Sequence, residues 1–348
     1  MKAYRLHGIG DLRWEEVPRP LPESGEVLVK VKAAGICGSD IPRIYQTGTY
    51  HFPTIPGHEF AGIVEEVGEL ADPAWKGKRV GIFPLIPCGA CGPCRAGKYE
   101  MCRHYGYLGS RQDGGFAEYV SVPEKNLIEL PEGVAYEEAA MLEPMAVAVH
   151  AMKKAAPSGG ESIAVCGLGT IGLFLLMFLR EAGHRNIYAI GNKEFQRQMA
   201  EKLGLPADVY CDSRTQDTEA WLMERTQGRG VDVFFECVGR NETVTQAVCM
   251  TGPGGRVMLV GNPASDMTFP KETYWKILRN QLTVLGTWNS SFTRKSDDDW
   301  HYVLERLENR RIAPGQFITH RLPFEELERG LLVMKEKREE YGKVMGGM

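Results

Sequence analysis

The sequence predicts an α/β protein of two domains, one rich in short strands and one built on a doubly wound parallel sheet. Three observations carry that prediction. The chain has 348 residues, 43% of them hydrophobic and 25% charged, enough to fill two cores and balanced as an ordinary globular protein is. Up to about Glu143 the apolar runs are short, alternating and punctuated by Gly and Pro. After Pro157-Ser158-Gly159-Gly160 the period changes, and buried-strand patterns begin to alternate with helical ones.

Taken in order, the first region reads as a compact β-barrel-like domain over 1–150, completed by 289–348. Glu26-Val27-Leu28-Val29-Lys30-Val31 alternates, and so does the run from Phe60 to Val67. The second region, 151–288, reads as strand at 162–165, helix at 171–182, strand at 187–190 and helix at 193–203. Three more apolar strands follow at 231–236, 256–260 and 282–286, each separated by a helix-length segment, which is the pattern of a doubly wound sheet. Beyond Trp288 the pattern is helical, with 298–309 and 324–336 as candidates.

Composition excludes some functions. A net charge of −4 disfavours a surface that tracks nucleic-acid phosphates. The longest apolar run, Leu173 to Leu179, is too short to cross a bilayer, and Met1-Lys2-Ala3-Tyr4-Arg5 opens no apolar leader, so a cytoplasmic protein with no membrane partner is expected. Of the nine cysteines, Cys88, Cys91, Cys94 and Cys102 crowd into one stretch, a spacing that points to thiolates on a metal rather than to disulfides. Four thiolates close a tetrahedral zinc site with no position for substrate, so this is a structural zinc pinning a lobe poor in apolar residues. Cys166, Cys211, Cys237 and Cys249 lie in or beside apolar segments and read as buried packing residues.

Gly167-Leu168-Gly169-Thr170-Ile171-Gly172 is a G-x-G-x-x-G run between a predicted strand and a predicted helix. Gly167 permits the tight turn, Gly169 lets the backbone approach a pyrophosphate, and Gly172 lets helix and strand pack closely; the helix start at Thr170 and Ile171 offers N–H donors to the anion. In NAD-binding sites an acidic residue about 20 positions further on accepts from the adenosine ribose. Here the second strand ends in Gly191-Asn192-Lys193. Gly191 removes both acceptor and negative charge, while Asn192 and Lys193 suit a 2′-phosphate, which predicts NADP as the preferred cofactor with NAD possible. In the alternative, Gly191 serves a turn and Glu194 reaches the ribose.

A second possible metal set is dispersed: Cys37, His58-Glu59 and Glu143. One thiolate, one imidazole and one carboxylate suit a catalytic zinc with an open position, but spacing cannot join residues so far apart, and Cys37 has an ordinary reading as a buried thiol, Glu59 and Glu143 as solvated acids. The Gly57-His58-Glu59 run followed by Gly62 and Gly68, the Cys37-Gly38-Ser39-Asp40 run, the four-cysteine lobe and the later fingerprint together resemble the zinc-containing medium-chain dehydrogenase/reductase family, in its polyol dehydrogenase branch, over nearly the whole chain.

The resemblance implies a GroES-like β-rich catalytic domain beside a Rossmann domain. It implies a catalytic zinc on Cys37, His58 and Glu143, with Glu59 as a nearby carboxylate that replaces or assists a ligand, and Ser39 as the hydroxyl that passes the substrate's proton. Pro42 lies near where some relatives carry a relay histidine, so Ser39 is the one relay group. The activity implied is hydride transfer between NAD(P) and a polyol phosphate or its ketose phosphate, such as galactitol 1-phosphate and tagatose 6-phosphate, with Arg43, Arg111 and Lys276 as candidate substrate contacts. An unphosphorylated polyol or sugar acid of the sorbitol or L-idonate type is the alternative; a non-catalytic dinucleotide-binding protein is another, and a zinc-dependent nucleic-acid-binding protein built on the four-cysteine lobe, which the charge balance disfavours, is the last. A homodimer or homotetramer, assembled through the strand at 282–286, is implied as well.

Overall fold

In the computed structural model, which describes residues 1–263 and 265–348, the chain divides into two units: Met1–Ala146 with Ser290–Met348, and Val147–Asn289. The first unit is organised by the strand Glu26–Ile36. It pairs antiparallel with Glu59–Val67, with Tyr119–Pro123 and with Lys343–Gly347. Its register against Glu59–Val67 shifts between Leu28 and Val29 and again between Val31 and Ala33, and such bulges bend a strand and tighten its twist. Val27, Val29 and Val31 point into one core with Leu6, Phe60, Val64 and Phe116. Leu28 faces the other way and is buried too, so this strand is covered on both faces rather than half-wetted.

The seven-stranded sheet runs in the order Ile318–Pro323, Lys343–Gly347, Glu26–Ile36, Glu59–Val67, Arg79–Ile82 and Leu127–Glu129, with Tyr119–Pro123 paired to the side of Glu26–Ile36. The two C-terminal strands correct the all-helical reading of that region. Ile318–Pro323 carries Thr319, His320 and Arg321 on its wetter positions, and Lys343–Gly347 starts on a charge and ends on glycines, so neither shows a strand's apolar signature. The helices expected nearby form at Asp299–Glu308 and, after a short 3-10 turn, at Leu327–Glu336. Asp298 starts the former by accepting from the His301 N–H at 2.9 Å, a side-chain cap on an otherwise unpaired donor.

The second unit holds a six-stranded parallel sheet in the order Tyr210–Asp212, Ile187–Gly191, Ile163–Cys166, Val231–Glu236, Thr251–Leu259 and Thr283–Gly286, which is the doubly wound arrangement expected. Tyr210–Asp212 is the strand that periodicity misses, because three residues are too few to show a period. The helix Thr170–Glu181 buries every residue from Gly172 to Leu179, and each fully buried Leu or Phe of that run contributes roughly 1.5–3 kcal/mol. Cys166 and Cys211 are buried as expected, whereas Cys237 and Cys249 are only partly so. At the far edge, Thr283, Val284 and Gly286 are exposed, so the outer side of the last strand is not covered by the chain's described residues. No helix among those residues is long and apolar enough to cross a membrane.

Candidate active site

Strand register brings the dispersed residues together. Gly35 pairs with Glu59 and Ala34 with Phe60, so Cys37, just past the end of one strand, lies beside His58, just before its partner begins. On the other flank Val344 pairs with Ile36, which sets Lys343 level with Cys37. Cys37 Sγ, a His58 ring nitrogen and a Glu59 carboxylate oxygen lie within 4.8 Å of one another, and His58, Glu59 and Glu143 are all buried. A thiol, an imidazole and a carboxylate converging in a buried place are the donor set of a catalytic zinc.

Glu143, second residue of the helix Leu142–Ala155, falls outside that tightest group but stands close to it. Its Oε1 accepts from the Tyr107 hydroxyl at 3.2 Å. Burial pushes its carboxyl up to about 7, with Glu59 pushing the same way and His58 and Lys343 opposing. Glu59 is placed differently, since its Oε2 accepts from the Lys343 ammonium, which also donates to the Ile36 carbonyl at 3.0 Å. Glu59 is therefore hydrogen-bonded to a cation, and Glu143 to a phenol.

Asp40 organises the side of the site that carries Cys37. Its Oδ2 accepts from the Cys37 N–H at 2.9 Å and its Oδ1 from Arg43 Nη1 at 2.8 Å. His58 Nδ1 lies 3.4 Å from Asp40 Oδ1 and is aligned for no hydrogen bond, so the contact is electrostatic. Burial opposes charge on His58, but Asp40 and then Cys37 more than offset it and hold the imidazole well above its usual pKa. Burial likewise works against the Asp40 carboxylate, and His58 and Arg43 outweigh it. Ser39 Oγ donates to Cys37 Sγ at 3.3 Å and is partly exposed. Asp40, Tyr107 and Lys343 are the residues that sequence reading left without a role; Asp40 had a signal, as the one charge in the run around Cys37, and the other two had none.

The cysteine lobe fits a metal on its own distances. A tetrahedral centre with Zn–S bonds of about 2.3 Å has S–S edges of about 3.8 Å. Here Cys88–Cys94 is 3.9 Å, Cys91–Cys94 3.4 Å and Cys91–Cys102 3.9 Å. All four are free thiols. The backbone N–H groups of Arg103 and Cys94 pull the Cys91 thiol down to about 6, while burial pushes the Cys94 thiol up to about 12, so it is the spacing of the four sulfurs that argues for a metal. From Pro87 to His104 only Cys94, Glu100 and Cys102 are buried, so the lobe has almost no apolar core.

In the second unit, Gly167 has φ +92°, and a Cβ there would meet Val238 Cγ2 at 2.5 Å; one on Gly172 would meet the Gly167 carbonyl at 2.1 Å. Gly169 begins the helix Thr170–Glu181 and faces open space, with Thr170 and Ile171 partly exposed, so the first helical turn is accessible to an anion. Gly191 ends its strand, and Asn192 and Lys193 lead into the helix Glu194–Lys202. Glu194 is paired with Arg197, whose Nε lies 3.0 Å from its Oε2. Each of the three candidate substrate cations already has a partner in its own unit. Arg43 is held by Asp40, Arg111 lies over the rings of Tyr50 and Tyr105 at 3.9 and 4.6 Å, and Lys276 in the second unit donates to the Cys249 carbonyl at 2.5 Å.

Comparison with known proteins places these features in context. Residues 23–132 match the family model of the alcohol dehydrogenase GroES-like domain, and residues 170–309 that of zinc-binding dehydrogenases. Galactitol 1-phosphate 5-dehydrogenase of Escherichia coli K12 is 33% identical over 89% of each chain. L-idonate 5-dehydrogenase of Vitis vinifera is 34% identical over 94% of this chain and 88% of its own. Among solved structures, galactitol-1-phosphate dehydrogenase of Escherichia coli superposes with a TM-score of 0.91 at 31% identity over the whole of both chains.

Proposed function

Because the chain belongs to the zinc-containing medium-chain dehydrogenase/reductase family, we propose that it oxidises a polyol phosphate such as galactitol 1-phosphate to its ketose phosphate, with NADP preferred over NAD and one catalytic and one structural zinc. The alcohol and polyol dehydrogenase class is given by the family. The convergence of Cys37, His58 and a carboxylate supports the catalytic zinc, the likeness to galactitol 1-phosphate 5-dehydrogenase supports the substrate, and Gly191-Asn192-Lys193 in place of an acidic residue supports NADP.

Cys37, His58 and Glu143 would hold the catalytic zinc, and Glu59, tied to Lys343, would stay beside it. Bound zinc supplies a Lewis acid that lowers a hydroxyl's pKa, and a bound nicotinamide supplies the hydride acceptor. This chain's residues do the rest. Ser39 takes the proton at Oγ and, being partly exposed, passes it to water without a second relay group. Asp40 fixes the Cys37 backbone and stands 3.4 Å from His58 Nδ1, where it would orient the neutral, metal-ligating imidazole. Cys88, Cys91, Cys94 and Cys102 would hold the second zinc. Gly167, Gly169, Thr170, Ile171 and Gly172 would receive the pyrophosphate, and Gly191, Asn192 and Lys193 the adenosine ribose.

Arg43 and Arg111 are the cations proposed for a substrate phosphate, while Lys276, held by Cys249, adds no support. The commitment of Arg43 to Asp40 favours the second reading, an unphosphorylated polyol or sugar acid. Catalytic efficiency on galactitol 1-phosphate, galactitol, sorbitol, xylitol and L-idonate, each with NADP and NAD, separates the two. Equal efficiency with and without the phosphate refutes the first, and faster turnover with NAD refutes the cofactor preference. The proposed setting is the cytoplasm, with no nucleic-acid or membrane partner.

A further inference from the structure

We propose that Tyr210 and Gln196 form a steric lock on cofactor choice, filling the space above Gly191 in which the acidic side chain of an NAD site would stand. This rests on the reading that the segment from Gly191 to Lys193 receives the adenosine ribose. A Cβ built on Gly191 would lie 2.6 Å from both Gln196 Oε1 and the Tyr210 hydroxyl and 3.0 Å from Tyr210 Cε2. Gly191 is not in the left-handed region, so its backbone does not require glycine. The space does.

The two side chains are not free to swing aside. The Tyr210 hydroxyl donates to the Lys193 carbonyl at 2.8 Å and accepts from the Lys193 N–H at 3.3 Å. Gln196 Oε1 accepts from the Asn192 N–H at 2.8 Å. Tyr210 and Gln196 are 8% and 9% exposed, so displacing them would leave buried polar groups unpaired. Their positions follow from the fold. Tyr210 comes from the neighbouring parallel strand, where Ala189 pairs with Tyr210 and Gly191 with Asp212, and Gln196 sits in the first turn of the following helix.

The carboxylates bordering the segment are also committed. Asp212 is held by Arg214, with Nε and Nη2 at 3.0 and 2.6 Å from its two oxygens, and Glu194 by Arg197. A ribose placed here meets the segment's amide and ammonium side chains, and both carboxylates that border it are in ion pairs. It follows that an aspartate at 191, the substitution that motif reasoning alone would choose to create an NAD site, clashes instead of binding.

The test is a cycle of dinucleotide affinities for the purified protein, read from the fluorescence of NADH and NADPH without substrate. Gly191→Asp alone is expected to weaken both dinucleotides by about tenfold or more, whereas in a Tyr210→Val/Gln196→Ser background the same aspartate should favour NADH over NADPH by about tenfold, since a charged acceptor on a ribose hydroxyl is worth that much. Tighter NADH binding by Gly191→Asp alone overturns the lock, and so does an aspartate effect indifferent to the background. Should the triple variant fail to fold, Gly191→Ala carries the test. It must weaken both dinucleotides in the wild-type chain and cease to do so with Tyr210→Val. A wild-type preference for NADH would refute the NADP reading, and the coupling between 191 and 210 would still decide the lock.

Discussion

Lys343 donates to Glu59 where both side chains are 1% exposed, and the pair exists because the strands carrying them flank the same central strand on opposite edges. A buried cation and anion are each costly alone, so removing one partner is far worse than removing both. Lys343→Met is expected to lower unfolding stability by about 3–5 kcal/mol, and Lys343→Met with Glu59→Gln to recover much of it. Urea unfolding checks both; a loss under about 1 kcal/mol in the single variant would show that the pair is not buried in solution as it is here.

What could be read from the sequence was what lies within one stretch of chain. The cysteine lobe and the glycine fingerprint announce themselves because their residues are a few positions apart, and both sit as the spacing implies. Cys37, His58 and Glu143 are brought near one another only by strand register and by the start of a helix, which no spacing encodes, so resemblance had to join them. Lys343 was invisible for a further reason. A lysine before Val344-Met345-Gly346-Gly347 looks like a surface charge until its strand is known to run beside Glu26–Ile36. Tyr210 was hidden in the same way, inside a strand too short to have a period.

The two cysteine sites should fail differently. Cys91→Ala leaves three thiolates in a lobe with almost no buried apolar side chains, so one zinc per chain should be lost and the melting temperature should fall by about 10 °C, as a loss of several kcal/mol implies at this size. Cys37→Ala should also lose one zinc, abolish turnover and melt within a few degrees of the wild type. Metal content and thermal unfolding, measured together, decide it. Near-normal turnover by Cys37→Ala would remove the catalytic assignment.

Tyr107 is predicted to act on metal affinity through Glu143, its hydrogen-bond acceptor at 3.2 Å. A partner that orients a ligating carboxylate is typically worth 10–100-fold in affinity, so Tyr107→Phe should weaken the catalytic site by about tenfold or more and leave the cysteine site unchanged. Titration with a competing chelator, following the two zincs separately, is the measurement. Equal affinity in variant and wild type would indicate that Glu143 is not a ligand and would turn attention to Glu59.

The last prediction concerns the open edge of the parallel sheet. Thr283–Gly286 pairs on one side with Thr251–Leu259, and its other side is uncovered among the described residues, with Val284 41% exposed. The chain on either side of it carries Tyr274, Trp275, Leu278 and Trp288, each more than half exposed. An exposed apolar edge strand is a template for pairing with another chain, and a second copy related by a two-fold axis satisfies the unpaired backbone groups and the apolar side chains in one contact. We therefore expect light scattering at micromolar concentration to report at least twice the 38.8 kDa of one chain. Val284→Glu would set two like charges near each other across that axis and should weaken association by about 100-fold or more, since like-charge juxtaposition at an interface costs several kcal/mol. A wild-type mass of one chain would refute the assembly, and a Val284→Glu variant that remained fully associated would move the interface away from this strand.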